Sequence, residues 1–317
     1  MINGIDEDVY NYVNKCLDEI EEEFGVKILY AVESGSRGWG FANEDSDYDV
    51  RFIYVHPLQD YLSINNIRDV IDDKDLKNKK YKYDLDFSGW DLKKTLALHR
   101  KSNPALREHM IHTMVYRGDT KFLDGLPEFD LVTLKAAYGS MTYNNYMKYI
   151  HGAHTDDFSP RVVKTYCYCI RQILAWLLID EYDDVNAPIN IDELLARFED
   201  DDIFADQLKQ DMKDCIDYYR SGCKLNKLSE RAIINLSTWI DTYLQVTKTP
   251  QGKKEELPDI EIYNERFREI LNNQYLETYH DNYIWAQTAL EQGLVTKEEI
   301  IDYLNAPLKQ ERRFRME

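Results

Sequence analysis

The stretch Ala31–Val55, AVESGSRGWGFANEDSDYDVRFIYV, constrains this chain more than any other. An apolar run, Lys27–Val32, reads as a buried strand and leads almost directly into Gly35-Ser36. Gly35, Gly38 and Gly40 follow one another at two- and three-residue spacing, and glycine lets a backbone turn tightly and approach a ligand. Ser36 is placed to cap a helix start, where free N–H groups and the helix dipole favour a phosphate. A second strand, Tyr48–Val55, comes next. Strand periodicity puts Asp47, Asp49 and Arg51 on one face and sends Tyr48, Val50 and Phe52 to the other, toward a core. Two carboxylates on neighbouring same-face positions repel each other unless a cation lies between them. Oxygen ligands so spaced suit Mg²⁺, which also takes substrate phosphates as ligands. A phosphate cradle beside a metal-holding carboxylate pair is equipment for phosphoryl or nucleotidyl transfer. Either feature alone would more often be a solvated loop; the order strand, turn, strand gives the pair its weight.

The rest of the chain sorts into three regions. Val9, Val13, Leu17, Ile20 and Phe24 recur at helical spacing, with Asp6 as N-cap and Gly25 just past the end. Tyr81–Phe87 is a third strand candidate, while Asp69–Lys80 reads as polar loop, and a helix starts near Trp90. From Leu131 the pattern is almost entirely helical: Leu131–Ile150, Arg161–Ile179, Ile191–Phe198, Ala205–Tyr219 and Ser229–Val246. Thr247–Asp259, with Pro, Gly and a charge run, is a linker. The expected architecture is α+β. A small mixed sheet with flanking helices fills residues 1–130, a helical domain 131–246, and a linker with a small helical extension 247–317, the active cleft lying between the first two.

Charge limits the partners. The chain carries 39 Lys and Arg against 58 Asp and Glu, a net −19. Such a surface repels a polyanion at long range and leaves room for one localised basic patch. Lys74, Lys77, Lys79, Lys80 and Lys82 form the densest one, equally readable as a solvated loop or as a backbone contact for RNA. No apolar run approaches bilayer length free of charge, the first residues lack a signal-peptide pattern, and five cysteines without a CxxC pair suit a reducing compartment. A cytoplasmic protein without a membrane partner is expected. His109/His112 and His151/His154 lack the cysteines or HExxH context of a zinc site, and no GxSxG elbow is present.

Gly35-Ser36 followed by Asp47-Tyr48-Asp49 resembles the signature of the DNA polymerase β-like nucleotidyltransferase superfamily. The longer text GSRGWGF…SDYDVRFIYV resembles one branch, the YcgL-like nucleotidyltransferases, some of which are called RNA-ligase-associated polymerases in RNA repair. Asp86…Gly89-Trp90-Asp91-Leu92-Lys93-Lys94, the KSNPAL text Lys101–Leu106 and the helix Lys164…Tyr168…Arg171 resemble further segments of that branch, over roughly residues 5–245. The resemblance implies a third catalytic carboxylate. Asp86 holds the family position ahead of Gly89-Trp90-Asp91, with Asp84 as the alternative and Asp91 reading as a helix cap. It further implies an NTP substrate, with Mg²⁺ in a two-metal site (Mn²⁺ as a substitute) held by Asp47, Asp49 and Asp86. Gly35, Ser36 and Arg37 would lie against the triphosphate. Lys164 and Arg171 share a helix face and would reach into the cleft for phosphate. Arg51 would bind the nucleotide or pair with Asp47 or Asp49. The expected reaction moves NMP from an NTP to an acceptor hydroxyl, releasing pyrophosphate, with an RNA end as acceptor. A protein hydroxyl or a small molecule is the other acceptor, and a non-catalytic nucleotide-binding interaction protein the other class. Oligomeric state is open.

Overall fold

The computed structural model describes residues 1–317 except 77–79, 153, 155, 201, 225–227, 248–255, 274–295 and 297–317. Its centre is a five-stranded mixed sheet, β1 (Lys27–Glu33), β2 (Tyr48–Val55), β3 (Val70–Asp72), β4 (Leu85–Asp91) and β5 (Val115–Gly118), in the order β3-β4-β2-β1-β5. β2 and β4 are parallel; the other three pairings are antiparallel. The class is α+β, as expected.

Alternation along the strands builds two cores. Val50, Phe52 and Tyr54 of β2 pack with Val9, Val13, Leu17 and Ile20 of α1 (Glu7–Phe24). Burying each such apolar side chain is worth roughly 1.5–3 kcal/mol. Helix α1 starts and stops as its sequence implies. The Asp6 carboxylate accepts from the Asp8 and Val9 N–H groups, and Gly25 takes a left-handed conformation. On the opposite sheet face, Ile53 and Val55 pack with Tyr30, Val32, Leu92, Leu96 and Leu106.

Two strand expectations need correction, and a fifth strand went unread. The third strand is Leu85–Asp91, not Tyr81–Phe87, because Leu85, Phe87, Gly89 and Asp91 bury alternately and pair along β2 in unbroken register. Gly89 is what permits this pairing: a Cβ there would lie 2.1 Å from the Phe52 ring. The segment read as polar loop contains β3, a three-residue edge strand, and β5 carries no clear alternation. Asp91 does cap α4 (Leu92–Arg100), accepting from the Lys93 N–H.

From residue 131 the chain is helical and has its own core. Between α2 (Gly35–Gly38) and this region lie α3 (Leu58–Tyr61) and α5 (Pro104–Met110). The later helices are α6 (Leu131–Tyr149), α7 (Pro160–Tyr182), α8 (Ile191–Arg197), α9 (Asp206–Arg220) and α10 (Glu230–Thr247), within a residue or three of expectation. α7 is long and apolar enough to cross a bilayer, but most of it is buried among α6, α9 and α10, as in the core helix of a globular protein. A further helix, 260–273, docks back on the sheet: Tyr263 and Leu271 are buried with Leu92 and Leu96, and the Arg100 Nε donates to the Pro258 carbonyl at 2.7 Å. The start of the extension thus completes the core of the N-terminal region. Thr296-Lys297-Glu298-Glu299 reads as a capping box in the sequence; apart from Thr296 it lies outside the described residues.

Candidate active site

The ends of three adjacent strands meet at one edge of the sheet. β1 runs antiparallel to β2, so its last residue, Glu33, lies beside the start of β2; β4 runs parallel to β2, so its start lies there too. Asp49 and Asp86 are direct register partners across β2 and β4. They share a face with Ile53 and Val55, which are buried with Leu92, Leu96 and Leu106, while both carboxylates remain partly open. Asp84 precedes the strand and is exposed, and its carbonyl accepts from the Tyr48 N–H. The backbone thus sets Asp86, not Asp84, opposite Asp49.

The glycine turn is built onto Asp49. The Ser34 N–H donates to the Asp49 carbonyl at 2.8 Å, and the Asp49 N–H donates to Glu33 Oε1 at 3.0 Å. Gly35 has φ +56°, and a Cβ on it would lie 1.7 Å from Asp49 Oδ2. Only glycine lets the carboxylate sit against the turn. The turn enters the four-residue helix α2, whose first amides have no acceptor within it. Ser36 does not cap this helix. Ser34 stands at the N-cap without a side-chain bond, and Ser36 is buried inside the turn.

The expected cations separate into distinct roles. Arg51 Nη2 bonds Asp49 Oδ1 at 2.6 Å and Asp86 Oδ2 at 2.8 Å. Arg37 braces the loop: its Nε donates to the Asp47 carbonyl and its Nη2 to the Ser46 carbonyl, and its guanidinium stacks on Tyr48. Lys164 faces the site, close enough for its charge to act on Asp49. Arg171 corrects the expectation that it reaches into the cleft. It is wholly buried, paired with Glu108 at 2.8 Å and stacked 4.4 Å from the Trp39 ring. It contacts the exit of the glycine turn from behind. Asp47 lies just before β2 and acts on Asp49 by repulsion.

Burial pushes the Asp49 carboxyl up; Arg51 opposes this, while Asp47 and Asp86 add to it. Burial also acts upward on Asp86, but Arg51 together with hydrogen bonds shared with Asp73 and Asp49 holds that carboxyl below the usual range. Among the described residues, no three His, Cys, Asp or Glu side chains converge tightly enough to hold a metal unaided. Asp49 and Asp86 supply two carboxylates that one cation already bridges. That donor set fits Mg²⁺, which commonly takes one or two carboxylates and completes its octahedron with substrate phosphates and water.

Sequence reasoning missed Glu33. It is fully buried, accepting from the Tyr116 hydroxyl at 2.6 Å as well as from the Asp49 N–H. A carboxylate closing an apolar strand just before the glycine turn was the available signal. Burial pushes its pKa up to about 7, against the lowering effect of those two bonds. A folded pKa above the unfolded one means the native state holds this proton more tightly. The associated stability is complete below about pH 4.5 and declines as pH rises to about 7. Wild type should therefore lose on the order of 3 kcal/mol across that window through this group, and Glu33→Gln should flatten the decline. Urea unfolding at pH 5 and pH 8 for both proteins measures it, and parallel pH dependences would refute the assignment.

Two comparisons with known proteins bear on the family of this chain. The sequence profile described as RNA repair pathway DNA polymerase beta family matches residues 9–269. The chain belongs to that family. The match continues past the expected limit near residue 245 into helix 260–273, in keeping with the docking of that helix on the sheet. The chain is also similar to the uncharacterized protein YcgL of Bacillus subtilis (strain 168), 34% identical over 250 residues, covering 76% of this chain and 89% of the relative.

Proposed function

We propose that the protein is a Mg²⁺-dependent nucleotidyltransferase of the cytoplasm that moves NMP from an NTP to the hydroxyl of an RNA end. The observation that carries this is the register pairing of Asp49 with Asp86 beside the Gly35 turn. The turn amides and Lys164 would hold the triphosphate. Asp47, Asp49 and Asp86 would hold Mg²⁺, which when bound neutralises phosphate charge and lowers the pKa of the acceptor hydroxyl. Asp86, nearer the sheet edge, would orient that hydroxyl in line with the α-phosphorus. A new P–O bond forms, the bond to the β-phosphate oxygen breaks, and pyrophosphate leaves. RNA as acceptor draws on the family's RNA-repair description. Lys74, Lys80 and Lys82 are exposed on the β3–β4 side and could meet its backbone; Lys77 and Lys79 lie outside the described residues.

The test offers each α-labelled NTP with Mg²⁺ to total RNA and to protein extract. Label should pass to RNA, with pyrophosphate released in equal amount. Label in the protein fraction would move the acceptor to a protein hydroxyl, and no metal-dependent transfer to any acceptor would leave the interaction-protein reading. Mg²⁺ and NTP together should also raise the melting temperature by mass action. Equal stabilisation of Asp49→Asn by NTP would detach the site from metal.

A further inference from the structure

Arg51 stands where a divalent cation would need to be. Its Nη2 bonds both Asp49 Oδ1 and Asp86 Oδ2, at 2.6 and 2.8 Å. Mg²⁺ would approach the same oxygens to about 2.0–2.1 Å. A bridging metal and this nitrogen therefore compete for one gap. An ordinary ion pair is the commonest role for such an arginine, but two features go beyond it. The carboxylates it joins come from different strands and are held opposite each other by backbone register, so a single nitrogen neutralises both as a metal would. The guanidinium also has somewhere to go. A cavity of about 310 Å³ opens at Arg51 and continues along Asp73, Lys74, Asp86 and Ser88.

We propose that Arg51 is an internal placeholder cation. It holds Asp49 and Asp86 together in the metal-free protein, yields the gap when a divalent cation enters, and then turns its charge to the phosphates of bound nucleotide. This rests on reading Asp49 and Asp86 as metal-holding carboxylates. It extends that reading by making metal and nucleotide binding cooperative. Metal alone must break two charge-assisted bonds, whereas metal with nucleotide gives the freed guanidinium a new anion.

The experiment is a Mn²⁺ titration of the full chain by calorimetry, without nucleotide and with a non-hydrolysable α,β-methylene NTP. Wild type, Arg51→Gln and Arg51→Lys are compared, each checked for folding by circular dichroism. Without nucleotide, Arg51→Gln should bind Mn²⁺ on the order of tenfold more tightly than wild type, because the competing bonds are gone. Arg51→Lys keeps the charge without the planar fork, so it should fall between them; it carries the test if the Gln variant does not fold. Adding Asp49→Asn to the Gln variant should abolish the tight binding. With the analogue, wild-type Mn²⁺ affinity should rise by a larger factor than that of Arg51→Gln. Equal or weaker Mn²⁺ binding by Arg51→Gln without nucleotide overturns the proposal, as does the absence of Mn²⁺ binding by all three. The nucleotide-free comparison does not depend on turnover. Tighter Mn²⁺ binding by Arg51→Gln in a protein that transfers no label would sink the catalytic reading and leave the placeholder standing.

Discussion

Asp49→Asn should lower nucleotidyl transfer by roughly 10³-fold or more, with the protein still folded. Asp49 is in contact with both halves of the site. Its Oδ2 sits against the Gly35 turn and its Oδ1 shares Arg51 with Asp86. Charge stabilisation of several kcal/mol depends on such a group, and each 1.36 kcal/mol is a factor of ten in rate. Stability should move the other way. Burial, Asp47 and Asp86 push the Asp49 carboxyl above its usual range despite Arg51, so at neutral pH the ionised side chain is a cost to the fold. Asparagine keeps the shape and an oxygen for Arg51 without the charge. Its melting temperature should equal or slightly exceed that of wild type. Single-turnover transfer at saturating Mg²⁺ and NTP, beside thermal melts, checks both halves. Near wild-type turnover would remove Asp49 from the machinery, and a collapsed melting temperature would make it a structural residue.

What was legible in the sequence was local and periodic. Val50 and Phe52 enter the core while Asp49 and Arg51 share the other face, as strand alternation requires. The caps at Asp6, Gly25 and Asp91 follow from side-chain chemistry within a few residues. What was not legible depends on pairing between distant segments. β3 is too short and too acidic to announce itself, and it exists because β4 offers it an edge. The shift of the third strand from Tyr81–Phe87 to Leu85–Asp91 follows from register with β2, and Gly89 matters only once Phe52 lies over it. Arg171 is the plainest case. Its spacing from Lys164 puts both toward one side of α7, but seven residues span nearly two turns, enough to carry Lys164 to the site and Arg171 beneath Trp39. Partners outside the helix, Glu108 and Trp39, accompany that burial.

The pairing with Glu108 makes the loss of Arg171 costly to the fold. Its Nη1 donates to Glu108 Oε1 at 2.8 Å, and among the described residues no hydrogen-bond partner meets its Nε or Nη2. Glu108 in turn accepts from the Tyr138 hydroxyl at 3.0 Å and the Trp39 Nε1 at 3.1 Å. Burial pushes the Glu108 carboxyl up, and Arg171 and Tyr138 outweigh it, holding the group ionised below the usual range. Arg171→Met fills much of the volume but leaves that carboxylate buried and uncompensated. Removing one partner of a buried pair costs roughly 3–5 kcal/mol. Glu108→Gln added to Arg171→Met removes the stranded charge and should recover about half the loss, a non-additivity expected of contacting residues. Because Glu108 also holds Trp39, and the Trp39 carbonyl accepts from the Ile191 N–H, the single mutant should loosen the exit of the glycine turn. NTP binding should then weaken in Arg171→Met and return in part in the double mutant, although Arg171 itself touches no nucleotide. Urea unfolding and NTP titration of wild type, both single mutants and the double mutant supply the full cycle. Additive losses would mean that the pair is not coupled. An Arg171→Met protein as stable as wild type but unable to bind NTP would return the guanidinium to the cleft.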